Sequence, residues 1–276
     1  MITKTHSGPV LRDSGRPQRV RCGLQVLFCI ALCAAAGGAL GQPRPPTPPQ
    51  SPRAAAPFDI AGSWVSIVNE DWLWRMVTPP KGDYSSLTML NPRGRAAADQ
   101  WDRATDGSCK AYGAAALLRM PTRLRIRWES DTVLTLETDA GRQQRTFRFT
   151  APNMAAAALA APSLQGNSTA QWQARAAPIG GVLGGPAGPP PTGGSLKVTT
   201  TNLLPGWLRR NGVPYSEQTS VTEYFDTFKS PNGDDWLIAT TVVEDPVYLS
   251  DRFVTSSHFK RERDGSKWKP TSCRSE

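Results

Sequence analysis

Histidine and cysteine are almost missing beyond residue 41 of this 276-residue sequence. His258 is the one histidine there, and Cys109 and Cys273 are the two cysteines. One imidazole and two thiols are too few for a structural zinc site without help from carboxylates. No metal or cofactor is therefore expected. No Gly-x-Ser-x-Gly elbow offers a nucleophile. The glycines of residues 178–194 lack the lysine and the strand–helix setting of a phosphate loop. They read as a low-complexity surface loop. No basic run is interleaved with aromatic residues, which argues against a nucleic-acid partner. Long amphipathic helices are missing too. The longest apolar run is shorter than the roughly 20 residues that span a bilayer.

That run belongs to the N-terminus. Lys4, Arg12, Arg16, Arg19 and Arg21 precede the apolar stretch 26–36, and Ala39-Leu40-Gly41 supplies small residues before Gln42. The pattern predicts a secretory signal over 1–41, hence a periplasmic or secreted protein with no stable membrane insertion after cleavage. A membrane anchor is the weaker alternative. So is a lipoprotein, because Leu32 precedes Cys33 where a small residue is needed. Removing five basic residues and one acid lowers the formal charge from +9 to about +5, an ordinary solvated excess. In an oxidising compartment Cys109 and Cys273 most simply form one disulfide, closing a loop of more than 160 residues. Two free thiols or a metal pair are the other arrangements.

Residues 42–57 are proline-rich and predict an extended linker. A single domain is expected over 58–276. Its clearest local signal is at 122–150. Leu124, Ile126 and Trp128 alternate with Arg123, Arg125 and Arg127, the period of a half-buried strand. Leu134 and Leu136 share the next face, Asp139-Ala140-Gly141 makes a hairpin turn, and Arg145, Phe147 and Phe149 share the third. A short helix is expected over Arg95–Trp101, between the first strand and this meander. Met154–Ala161 reads as a helical turn or loop, and 169–175 and 196–202 as strands. Residues 203–215 form a long connection. Three strands then follow within Ser220–Lys260. About nine short strands predict an all-β fold, an antiparallel up-and-down barrel with a short helical insertion and long loops.

Gly62-Ser63-Trp64 opens the first strand, with the indole placed to plug a barrel end; here the chain resembles lipocalin-like barrels. Glu223-Tyr224-Phe225, Trp236-Leu237 and Glu244-Asp245-Pro246-Val247-Tyr248 are similar in layout to exported proteins of soil and environmental bacteria. The resemblance covers about residues 58–273. It implies a lipocalin-like barrel and transfers no catalytic residue.

Candidate chemistry rests on few side chains. Glu223 falls between Val221 and Phe225 on a face that should be buried, and Arg145 shares a face with Phe147 and Phe149. Opposite charges on apolar faces are expected to meet inside the barrel, since burying either alone is very costly. They would be a register-fixing ion pair, or a polar floor to a ligand pocket with Arg145 holding a carboxylate or enolate and Glu223 acting as base. His258 is the natural proton shuttle, or a structural residue. Trp72, Arg75, Tyr224 and Trp236 are candidates for lining a ligand cavity. Glu244-Asp245-Pro246 is a carboxylate dyad or, more simply, a strand-ending turn. The leading expectation is a barrel that binds a small, partly apolar molecule inside. An acid–base enzyme without cofactor (isomerase, lyase or hydrolase) and a structural or envelope-interaction module are the alternatives.

Overall fold

The computed structural model describes residues 50–106, 109–149, 161–174 and 193–273. The expected signal at 1–41, half of the expected linker, residues 154–160 and the low-complexity stretch up to 192 lie outside them. Among the described residues no helix is long and apolar enough to cross a membrane.

Nine strands close into a barrel. In chain order they are β1 (Gly62–Ile67), β2 (Arg123–Ser130), β3 (Val133–Thr138), β4 (Gln144–Phe149), β5 (Asn167–Ala174), β6 (Gly194–Thr201), β9 (Ser220–Lys229), β10 (Asp235–Glu244) and β11 (Phe253–Glu262). The all-β barrel with a helical insertion is thus what forms. Strand direction cannot alternate around a ring of nine, so one junction must be parallel. It lies between β4 and β5, where Phe147 pairs with Ser168 and Phe149 with Ala170. A second interruption follows β6, whose next neighbour is β9. The connection between them is not bare loop. β7 (Gly206–Arg209) and β8 (Val213–Tyr215) pair as a separate hairpin. Gly212 turns it with a φ of +85°, and a Cβ there would sit 2.2 Å from the Trp101 ring.

The insertion between β1 and β2 contains α1 (Trp72–Met76), α2 (Pro92–Asp99) and α3 (Arg103–Asp106), then 3-10 turns at Lys110–Tyr112 and Leu117–Arg119. The helix expected at Arg95–Trp101 begins three residues earlier. Pro92 fits its first turn, and the Asn91 side chain caps it by accepting from Gly94 N at 2.8 Å. The packed region also starts before Phe58. Arg53 N donates to Asp131 O, and Trp172 Nε1 donates to Pro52 O.

Trp64 is fully buried at one end of the barrel and donates from Nε1 to Ile60 O. Arg261 lies 4.2 Å from its ring centroid and donates to the carbonyls of Ala61 and Asp59. Gly62 has a φ of +135°, which L side chains rarely adopt, and a Cβ would also press on the Arg261 guanidinium at 2.6 Å. Inward positions from Trp64, Leu124, Leu136, Phe147, Val198, Phe225, Leu237 and Phe259 form one apolar cluster. A second holds Val221, Val243 and Phe253 together with Leu87, Leu90, Ala98, Leu208 and Tyr215 from the insertion and hairpin. The chain therefore plugs its own barrel.

Candidate functional site

Between the two apolar clusters runs a polar layer. Along β9 the inward residues are Val221, Glu223 and Phe225, and along β10 Thr241 stands opposite Glu223. Arg145 enters from β4, Thr200 from β6 and Ser168 from β5; all are buried. Arg145 Nη1 donates to Glu223 Oε1 at 2.7 Å and Nη2 to Oε2 at 2.6 Å. Nη2 also donates to Thr200 Oγ1 at 3.0 Å, which in turn bonds Ser168 Oγ at 2.8 Å. Alternation placed these two charges on inward faces, and they meet there as a bidentate pair. Neither side chain reaches solvent. Among the described residues, neither lines the cleft at Trp236 and His258 or the one beside Arg75.

His258 does not join them. It sits in β11 between inward Ser257 and Phe259, so its ring points out of the barrel wall. Nδ1 lies 2.9 Å from Asn69 Oδ1 and 3.7 Å from Glu70 Oε2, and Nε2 lies 3.4 Å from Ser256 Oγ. Its sheet neighbours are Ile67 and Ile238. Further along the wall, cross-strand partners Trp236 and Phe228 stack with centroids 6.2 Å apart and rings 9° from parallel. Trp236 Nε1 donates to Ser230 Oγ. These residues, with Asn69, Pro231 and Ile238, line a cleft of about 520 Å³. Its wall is apolar apart from the His258 imidazole, the Asn69 and Asn232 amides and the Ser230 hydroxyl.

The other expected lining residues are dispersed. Tyr224 is on the outer wall, where Lys197 Nζ lies 6.0 Å from its ring centroid. Trp72 is exposed on α1, and Arg75 on the same helix is buried, donating from Nε to Arg119 O at 2.9 Å. No family model, curated protein or solved structure matches the chain. Its function rests on its own geometry.

Glu244-Asp245-Pro246 is the strand-ending turn. Asp245 is buried and accepts from Ser216 N and Oγ, Thr219 Oγ1, Val247 N and Tyr248 N. Asp245→Asn would aim an amide donor at these donors. We expect it to lower unfolding free energy by about 2–4 kcal/mol, read as a lower urea midpoint at unchanged m.

Two residues escaped the sequence reading. Arg119 ends the 3-10 turn Leu117–Arg119, and Arg209 ends β7; both are buried beside Arg75. The available signal was an arginine closing the apolar run 111–118, and a second inside the aromatic-bearing connection 203–215.

Proposed function

We propose that this chain is an exported β-barrel protein that binds a small, partly apolar molecule on its outer wall, in the cleft of Phe228, Trp236, Ile238 and His258. One observation carries the reading: a cleft of about 520 Å³, within the usual range for small ligands, with an aromatic pair on one side and the His258–Asn69 pair on the other. A ring or chain would lie against Trp236 and Phe228. A single polar group would face the imidazole. Export is supported by the sequence pattern of residues 1–41 and by the Cys109–Cys273 disulfide. The acid–base alternative gains no support, because both Glu223 oxygens are engaged by Arg145 and His258 faces away from them.

Native mass spectrometry of protein purified from its own periplasm tests this by seeking a retained ligand. Trp236→Ala should weaken binding of that ligand about tenfold or more. Equal retention by a folded Trp236→Ala protein would remove the wall cleft as the site.

A further inference from the structure

We propose that Arg75, Arg119 and Arg209 bind the oxyanion head, phosphate or carboxylate, of a single-chain amphiphile whose tail lies along the exposed side of α1. The three residues come from three elements and are only 5%, 7% and 5% exposed. A buried guanidinium needs acceptors for its donors. Among the described residues, Arg75 Nη2, Arg119 Nε, and Arg209 Nε and Nη1 have no hydrogen-bond partner. Two carboxylates pair directly with the cluster, and a third, Asp83, acts on the Arg209 charge without an ion-pair contact. Glu70 lies 3.3 Å from Arg75 Nη1, and Asp71 lies 3.1 Å from Arg119 Nη2. Their side chains are 30% and 43% exposed, so each can turn to water when another anion takes its place. Arg209 has an alcohol and an indole instead: Nη2 donates to Ser86 Oγ, and Cζ lies 5.3 Å from the Trp74 ring centroid.

Burial lowers the pKa of all three arginines, that of Arg119 to about 10, with the Arg209 charge its second cause. All three stay cationic at neutral pH, with the carboxylates Glu70, Asp71 and Asp83 around them. An oxyanion would occupy the unpartnered guanidinium donors through charge-assisted hydrogen bonds.

Shape sets the class of molecule. The cleft among Trp74, Pro79, Met120 and Leu208 has about 30 Å³ of free space, room for about two waters and far too little for a nucleotide, so only the oxygens of a head group would enter it. Outside it, α1 reverses the usual amphipathic arrangement. Arg75 points inward while Trp72, Leu73 and Met76 are 60%, 47% and 55% exposed. A bare anion uses none of that apolar surface. An amphiphile uses the cleft and the helix together.

The test titrates octyl phosphate, below its micelle concentration, into the full chain, with inorganic phosphate and octyl glucoside beside it. Octyl phosphate should bind at least tenfold tighter than either. Arg209→Gln should weaken it at least tenfold, and Asp71→Asn should strengthen it several-fold. Leu73→Ser, on an exposed position that leaves the fold intact, should weaken octyl phosphate and leave inorganic phosphate unchanged. Octyl glucoside binding as tightly, or full affinity in folded Arg209→Gln protein, overturns the site. Loss of binding in Trp236→Ala instead would assign the amphiphile to the wall cleft and overturn it too. Binding to phosphatidylglycerol vesicles without binding to dispersed octyl phosphate would overturn the single-chain occupant.

Discussion

Glu223→Leu, with Arg145 left in place, is expected to cost about 3–5 kcal/mol of unfolding free energy, because it strands a guanidinium in the core. Arg145 is 1% exposed, and its two terminal nitrogens make three hydrogen bonds, two of them to Glu223. Arg145→Met should cost a similar amount by stranding the carboxylate. The double replacement should recover most of the loss, since apolar residues of like volume often match a buried ion pair. Guanidinium denaturation of the three variants measures this. Single-variant losses below about 1 kcal/mol would mean that the pair is not desolvated as described. A recovered double variant would give the pair a role in specifying strand register, not in net stability.

That pair was legible because strand alternation is a strong constraint. Val221, Glu223 and Phe225 must share a face, and a one-residue slip would expose all three. Arg145 and Phe147 obey the same rule on β4. The pattern was silent on strand direction, so the parallel β4–β5 junction was not foreseen. It was ambiguous for His258, because β11 carries Phe253 and Phe259 on one face and exposed Val254 on the other. The wall cleft depends on Phe228 and Trp236 being opposite across the β9–β10 turn, a register fixed by the turn at Ser230–Asp234. Arg75, Arg119 and Arg209 lie on short helix, 3-10 turn and hairpin, where no sustained period connects one segment to another. Their meeting is purely tertiary. The outer arginines were simpler: Arg123 pairs with Glu262 and Arg127 with Glu129 and Glu137, as solvated strand faces do.

Removal of the Cys109–Cys273 disulfide should have an effect of the same size. The bond spans 164 residues. A loop of that length constrains the unfolded chain strongly, and its loss should destabilise by about 4–5 kcal/mol on the chain-entropy account. The consequence reaches the arginine cluster. After β11 the tail returns to the β3–β4 turn, where Thr271 N donates to Asp139 O at 2.8 Å. The disulfide ties this tail to Cys109, which packs with Tyr112, Leu117, Met120 and Trp207. Leu117 and Met120 bracket Arg119, and Trp207 precedes Arg209 by two residues in the hairpin. Cys109→Ala/Cys273→Ala should therefore lower the denaturation midpoint and also weaken octyl phosphate binding in protein that remains folded. The wall cleft is built on β9, β10 and β11 and should keep its ligand. Equal losses at both sites would mean that the bond holds the whole barrel. Loss confined to the arginines would make it a staple for the plug, and would tie that site to an oxidising compartment.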